Sequence, residues 1–175
     1  REVEDKLDEM RKAIVAKKAD AAVLSDPSSV AWTFNIRGSD LPSTPHPLSR
    51  AILPASGRPT LYIDERKLGI ESRAYLTQLA DLMPPESFDE ALANLGRDKA
   101  AVMVDPGVAP HAIARAIVKA GGSVIEASDP ARLPRAVKNE AEIKASASVH
   151  KQDGAAMVRF LAWFDSEAPK GGLDE

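Results

Sequence analysis

Four side chains that could bind a peptide lie close together, in a chain with few aromatic residues. Trp32 offers an apolar ring, Asn35 an amide, Arg37 a guanidinium and Asp40 a carboxylate. An aromatic wall suits the ring of a prolyl residue, and an arginine suits a peptide carboxylate or carbonyl. We take these four residues as candidates for facing a substrate or a partner. The alternative, in which Trp32 belongs to the core and Arg37 braces a loop, stays open.

The segment that carries these residues has two interpretations. Apolar residues alternate over residues 30–36, as in a half-buried strand. However, Asp26 can cap a helix and Pro27 suits the first helical position, so we predict a helix over Pro27–Phe34. Gly38 and three prolines between positions 42 and 47 follow. Proline has no backbone N–H to donate to a β-sheet, so this stretch is predicted to be an irregular loop. Loops of this kind often bind ligands.

Residues that could form a catalytic or metal centre are not grouped in the sequence. His46, His111 and His150 have no carboxylate or second histidine at metal-ligand spacing. The sequence also contains no phosphate-binding loop, no dinucleotide fingerprint and no Gly-x-Ser-x-Gly elbow. We therefore assign no catalytic residue and no metal ligand to this chain.

Two aspartates follow predicted strands, as the phosphate acceptor of a receiver domain does. Asp26 and Asp105 each precede a proline, however, so both are predicted to cap or turn the chain. Arg135 and Lys138 are predicted to be solvated or to contact a following domain.

The composition excludes several classes of protein. The 175 residues carry 23 Lys and Arg against 26 Asp and Glu, so no basic field indicates nucleic acid. No apolar run approaches the ~20 residues that span a bilayer. The absence of cysteine excludes disulfides and is compatible with the cytoplasm, where we place the protein. The charged start has no signal peptide. Because the chain has no initiator Met, we expect a piece excised from a longer protein.

Hydrophobic spacing and turn signals predict alternating helices and short strands. Strands are expected at residues 21–24, 50–54, 60–63, 82–83, 100–104 and 123–125, and helices at 3–18, 69–82, 87–95, 110–120 and 129–137. Ser87 and Glu90 form a predicted capping box, and Gly96 is predicted to end that helix. This alternation indicates an α/β fold with helices on both sheet faces and at least one antiparallel pair.

The last element differs from the others. Asn139 and Glu142 make a second capping box, and a long helix is predicted from there to about Ala168, with Gly154 as its weak point. The helix carries one apolar stripe, formed by Met157, Phe160, Leu161 and Phe164. Such a stripe is expected to pack on a domain or self-associate. We place a domain boundary near Lys138, giving domains 1–138 and 139–175.

Several motifs in this order resemble a known family. Val30-Ala31-Trp32, residues 35–40 (Asn-Ile-Arg-Gly-Ser-Asp) and residues 48–53 resemble the middle domain of the three-domain aminopeptidase P (X-Pro aminopeptidase) family. Residues 137–143 and 150–155 resemble the start of its metallopeptidase domain. The resemblance implies a creatinase-N-terminal-like mixed sheet of about six strands flanked by helices. One long C-terminal helix would come from the following domain.

The resemblance also implies a function. The parent protein would remove the N-terminal residue that precedes proline, using two divalent metal ions, typically manganese, held by two Asp, one His and two Glu beyond Glu175. The piece in hand would be inactive alone. It would shape the cleft for a proline-containing peptide and support assembly with the metallopeptidase domain, a homodimer being one expectation.

One departure from the family leaves alternatives open. The family often has bulky aromatics after the proline loop, where this chain has Pro47-Leu48-Ser49-Arg50. An alternative function is a non-enzymatic module that binds a peptide or protein through a creatinase-like fold. A third is a free-standing α/β domain that ends near Lys138 and binds a small molecule at its strand ends.

Overall fold

The computed structural model describes residues 1–173, in which helices and strands alternate. The helices are α1 (Val3–Ala16), α2 (Pro27–Phe34), α3 (Ile70–Leu79), α4 (Phe88–Arg97), α5 (His111–Lys119), α6 (Arg132–Ala136) and α7 (Glu140–Glu167). The strands are β1 (Ala21–Leu24), β2 (Ser49–Pro54), β3 (Thr60–Ile63), β4 (Asp81–Met83), β5 (Ala101–Val104) and β6 (Ser123–Glu126). Residues 30–34 therefore belong to a helix, and the strand interpretation of that run is wrong.

The strands form one six-stranded mixed sheet, in the order β4-β3-β2-β1-β5-β6. The β2–β3 hairpin is antiparallel, and so is the β1–β2 pair. The pairs β1–β5, β5–β6 and β3–β4 are parallel. The predicted mixed α/β sheet of about six strands is confirmed. Because β2 alone runs against the other strands, the carboxyl ends of β1, β3, β4, β5 and β6 share one edge of the sheet.

Alternate residues along the strands contribute to two hydrophobic cores, one on each face of the sheet. Ala22 and Leu24 of β1 join the core under α1, α2 and α3. Ala21 and Val23 of the same strand join the core under α4 and α5. Side chains of a strand point alternately to opposite faces, so a run of four buried residues in β1 indicates a strand covered on both sides. The predicted covering of both faces by helices is confirmed.

The two ends of α4 differ from the sequence prediction. Ser87 already has helical backbone angles and its hydroxyl donates to Pro84 O at 2.8 Å, so it makes no capping box with Glu90. The reason is the 3-10 turn Pro85–Ser87, which leads directly into the helix. Gly96 does not end the helix either, because α4 continues to Arg97.

The chain divides into two compact units, Arg1–Ala136 and the residues from Val137 onward. In the second unit, the Asn139 side chain accepts from Glu142 N and the Glu142 side chain accepts from Asn139 N, both at 2.9 Å, so the predicted capping box is confirmed. The stripe residues Met157, Phe160, Leu161 and Phe164 are 43–57% exposed. Within residues 1–173, no helix combines the length and apolarity needed to cross a membrane.

Candidate functional site

The two ends of helix α2 determine where the candidate residues lie. At the N-terminus, Asp26 accepts from Ser28 N at 3.0 Å and from Ser28 Oγ at 2.5 Å, and Pro27 occupies the first helical turn. At the C-terminus, Asn35 adopts the left-handed conformation with φ 54° and ψ 39°. Asparagine tolerates this conformation better than most residues. The chain therefore leaves the helix at Asn35 and enters the proline-rich loop.

Trp32 joins α2 to the first helix. The ammonium of Lys6 lies 4.8 Å from the Trp32 ring centroid and donates to Trp32 O, and the guanidinium carbon of Arg1 lies 5.8 Å from the same ring. Cations over an indole face are attracted by its quadrupole. Trp32 packs against the core under α1 to α3 and is partly buried. Its ring thus serves to hold the N-terminal segment.

The side chain of Asn35 also makes hydrogen bonds to the N-terminal segment. Its Oδ1 accepts from Lys6 Nζ at 2.5 Å, and its Nδ2 donates to Arg1 O at 3.0 Å. The Tyr75 side chain also hydrogen-bonds to Asn35, and burial raises the pKa of the Tyr75 hydroxyl above its ordinary value. Sequence reasoning missed Lys6, which is 1% exposed. The available signal was its position beside the apolar residues Val3 and Met10, on the buried stripe of α1.

Arg37 is exposed, as is Asn35, but its side chain has fewer contacts than that of Asn35. Its Nη1 donates to Ile36 O at 2.9 Å. It lines a cleft of about 320 Å³, which we name the Arg37 cleft. The remaining lining comes from apolar and polar side chains of the loop, β3 and α3, namely Asn35, Ile36, Pro47, Ile63, Leu68, Glu71, Ser72, Tyr75 and Leu76. The cleft therefore combines apolar walls with one cation and one carboxylate.

Gly38 shapes this loop by allowing two backbone segments to approach closely. A Cβ at this position would lie 2.8 Å from the backbone N and Cα of Pro47. The Gly38 N–H donates to Pro45 O at 3.2 Å. A residue with a side chain would push the proline segment away, so the loop geometry depends on glycine.

Asp40 ties the far end of the loop to the sheet. Its Oδ2 accepts from Leu48 N at 2.8 Å and from the Lys67 ammonium. These two hydrogen bonds, that of Lys67 being the stronger influence, hold the pKa of Asp40 below its ordinary value. Asp40 does not line the Arg37 cleft. The structure therefore brings Asn35 and Arg37 together at one cleft and gives Trp32 and Asp40 separate bracing contacts.

The pKa of Asp40 predicts how acid acts on the fold. Because the folded-state pKa lies below the unfolded value, the stabilisation is present at neutral pH and is lost as the pH falls through the folded pKa. Asp40→Asn is expected to be less stable than wild type at pH 7, and the gap is expected to start closing as the pH falls below about 4. Urea unfolding at several pH values measures this.

The control for this experiment is Asp98→Asn, since Asp98 is exposed and makes no side-chain hydrogen bond with the described residues. It should change stability little at either pH. A gap between wild type and Asp40→Asn that stays constant from pH 7 to pH 3 would contradict the assignment.

A second polar cluster lies at the carboxyl ends of β1 and β5. Asp105 accepts from Gly107 N and Asp129 N, both at 2.8 Å, and Asp26 caps α2 as described. The predicted turn and cap roles of Asp26 and Asp105 are confirmed. Burial raises the pKa of Asp26, but hydrogen bonds from Ser28 and Arg135 outweigh it and leave the pKa below its ordinary value.

The surroundings of Arg135 differ from the sequence prediction. It was expected to be solvated or to contact a following domain, but its Nη1 lies 3.1 Å from Asp26 Oδ2 and also hydrogen-bonds to Ser28 Oγ. The ion pair joins positions 109 residues apart, so no local pattern could indicate it. Asp129 nearby is 6% exposed, and burial raises the pKa of its carboxyl group.

Metal-binding side chains do not converge anywhere in residues 1–173. No group of three or more His, Cys, Asp or Glu is arranged to hold an ion in that part of the chain. A centre with two metal ions needs several such donors around a shared water. The donors described here do not fit a dinuclear centre, and we assign none of them as a metal ligand.

Comparison with known proteins identifies the family of this chain. The model of the Creatinase/Prolidase N-terminal domain matches residues 1–142. A probable Xaa-Pro aminopeptidase P of Arthroderma gypseum is 36% identical over 98% of this chain and 28% of its own length. Xaa-Pro aminopeptidase 1 of Dictyostelium discoideum is 31% identical over 93% of this chain and 25% of its own length.

A solved structure agrees with these relatives. The X-prolyl aminopeptidase of Caenorhabditis elegans, described as a cytosolic enzyme with a di-nuclear active site, superimposes with a TM-score of 0.83. It is 27% identical over 98% of this chain and 28% of that chain. The chain thus spans less than a third of the length of each of these relatives. It belongs to the creatinase/prolidase N-terminal domain family, and within that family it is similar to the Xaa-Pro aminopeptidases.

Proposed function

We propose that this chain is a non-catalytic domain of an Xaa-Pro aminopeptidase, and that its Arg37 cleft receives part of a proline-containing peptide. The similarity to enzymes named for this activity supports the first half of the proposal. The observation that carries the second half is the contrast among the four candidates. Trp32, Asn35 and Asp40 are engaged in bracing contacts, whereas Arg37 is exposed at the rim of an apolar cleft.

The cleft suits a short extended peptide. Its apolar walls, which include Pro47 and Tyr75, match the ring of a prolyl residue. Arg37 can donate to a peptide carbonyl through the guanidinium nitrogens that do not bond to Ile36 O. Glu71, which also lines the cleft, can accept from a peptide N–H or ammonium. A peptide therefore finds a donor, an acceptor and an apolar surface in one cleft.

The rest of the proposal concerns the parent protein. We infer that residues 1–138 form the creatinase-like domain and that residues 139–175 begin a metallopeptidase domain, whose remainder covers the exposed stripe of α7. That domain would hold two divalent ions, which the family resemblance implies are manganese, through side chains outside this chain. A cytoplasmic location and a homodimer complete the proposal, the former supported by the cytosolic relative. The domain would shape the substrate cleft and support assembly.

Peptide binding tests the role of Arg37. Titrating the ¹⁵N-labelled chain with Ala-Pro-Ala amide is expected to shift the backbone signals of Ile36, Arg37 and Tyr75. Arg37→Gln is expected to weaken binding about tenfold, because it removes a charged donor from the cleft. Arg97→Gln is the matched control, since Arg97 is also an exposed arginine and does not line the cleft.

Two results would overturn the proposal. Equal binding by Arg37→Gln and wild type would remove Arg37 from the peptide site. Hydrolysis of an Xaa-Pro peptide by the purified chain with added Mn²⁺ would show that it is catalytic by itself. The parent sequence beyond residue 175 gives an independent check, because two Asp, one His and two Glu should follow in the order of the family. Their absence would leave peptide binding without hydrolysis.

A further inference from the structure

A second cleft, of about 310 Å³, opens at the sheet edge where β1, β3 and β4 end and β2 begins. We name it the edge cleft. Its lining is mixed, with Pro27, Leu48, Tyr62 and Pro85 as the apolar part. Arg50, on β2, supplies a guanidinium. Carboxyl ends of strands in open α/β sheets are common places for ligands, so the position itself is suited to binding.

Arg50 lies beside a pair of packed aromatic rings. It lies directly opposite Tyr62 in the β2–β3 register, and its guanidinium carbon lies 5.1 Å from the Phe88 ring centroid. The Tyr62 and Phe88 rings pack edge to face, with centroids 5.0 Å apart and an interplanar angle of 74°. Tyr62 and Phe88 are both buried. The contact with Phe88 therefore favours one placement of the guanidinium before any ligand arrives, which lowers the entropic cost of binding.

The charge of Arg50 is not matched by an anion within the described residues. The other charged side chains of the edge cleft are paired, since Lys67 contacts Asp40 and Asp64 lies 2.6 Å from Arg66. Arg50 makes neither an ion pair nor a side-chain hydrogen bond with residues 1–173. Ser25, in the same lining, has a buried Oγ that also lacks a hydrogen-bond partner in that range. The exposed guanidinium of Arg50 is therefore available to an anionic ligand, and the buried Ser25 Oγ offers a second polar group beside it.

We propose that the edge cleft binds a carboxylate through Arg50, with the carbon skeleton of the ligand against the proline, leucine and tyrosine walls. The planar guanidinium can donate two parallel hydrogen bonds to the two oxygens of a carboxylate. Asp64 and Lys67 are each paired with another side chain, so Arg50 is the one cation of this lining without an anionic partner in residues 1–173. A single cation matches a monoanionic carboxylate better than a phosphate dianion. This inference does not depend on the proposed function.

Four probes on the ¹⁵N-labelled full chain test the proposal. N-acetylproline carries the carboxylate, N-acetylprolinamide replaces it by a neutral amide, acetate lacks the apolar skeleton, and inorganic phosphate is the competing oxyanion. N-acetylproline is expected to shift the backbone signals of Ser25, Leu48 and Arg50, with Kd on the order of millimolar. The amide is expected to bind at least about tenfold more weakly, and acetate more weakly than N-acetylproline.

Variants assign the effect to Arg50. Arg50→Gln is expected to weaken N-acetylproline binding about tenfold, and Arg50→Lys severalfold, because lysine keeps the charge but loses the planar fork. Arg97→Gln should bind as wild type does. Thermal unfolding of each variant checks its folding, while the comparison of acid and amide on the wild-type chain needs no variant. Equal binding of acid and amide, undiminished binding by folded Arg50→Gln, or tighter binding of phosphate than of N-acetylproline would each overturn the proposal.

Discussion

Lys6→Met is expected to lower the free energy of unfolding by about 2–4 kcal/mol. Methionine keeps most of the volume of lysine but removes the ammonium. The partly buried Trp32 carbonyl and Asn35 amide oxygen would each lose the donor that they have in the native fold. A polar group left unpaired in the interior costs about 1–3 kcal/mol. The cation over the Trp32 ring would be lost as well.

The measurement uses the tryptophan that Lys6 contacts. The chain has two tryptophans, so in a Trp163→Phe background the fluorescence of Trp32 reports on the unit that contains Lys6. Urea unfolding gives the free energy. Lys12→Met is the matched control, because Lys12 lies exposed on the same helix and should change stability by less than about 0.5 kcal/mol. Equal stability of the two variants would show that Lys6 does not brace Trp32 and Asn35.

Gly96→Ala is expected to destabilise the same unit by about 1–3 kcal/mol, although alanine is the better helix former. An added Cβ would lie 2.5 Å from Ala120 Cβ and 2.5 Å from Ile117 O. Neither atom belongs to a flexible side-chain end, so α4 and α5 would have to move apart. Overpacking of this kind costs about 1–3 kcal/mol and exceeds the gain of up to about 1 kcal/mol in helix propensity.

Gly154→Ala is the opposite case and serves as the control. Gly154 lies within α7, where an added Cβ meets no atom within 4 Å. Only the propensity gain applies there, so helix content measured by circular dichroism should rise or stay unchanged. For Gly96→Ala, the midpoint of Trp32-detected unfolding should fall. An unchanged midpoint would mean that α4 and α5 are not closely packed at Gly96.

Local patterns predicted most elements of the fold. The β1 and β3 bounds and the whole of α2 were predicted from short apolar runs, a cap and a proline. The capping box at Asn139 likewise depends on residues three apart. Ser87 shows where such patterns fail, because the preceding proline pair starts a turn that removes the cap. Motifs around Trp32 and Arg37 were sufficient to indicate the family, because they too lie within short stretches.

The candidate site was only partly predictable. The sequence could name Asn35 and Arg37 as neighbours in one loop, but it could not show that α3 supplies Glu71 and Tyr75 to the same cleft. Arg50 was noticed only as a departure from the family pattern. Its environment depends on its register with Tyr62 and on its contact with Phe88. Arg50, Tyr62 and Phe88 belong to three different elements, β2, β3 and α4.

By itself, the sequence determined the order of helices and strands, the caps at Asp26 and Asn139, and the relation to the family, because each of these depends on residues near one another along the chain. Only the tertiary structure decided that Lys6 is buried against Trp32, that Arg135 pairs with Asp26, and that Gly38 meets Pro47. The physical reason is that burial and charge pairing depend on which distant segments pack together. The stripe position of Lys6 on α1 indicates burial, but it carries no information about the indole ring of α2 that the ammonium contacts.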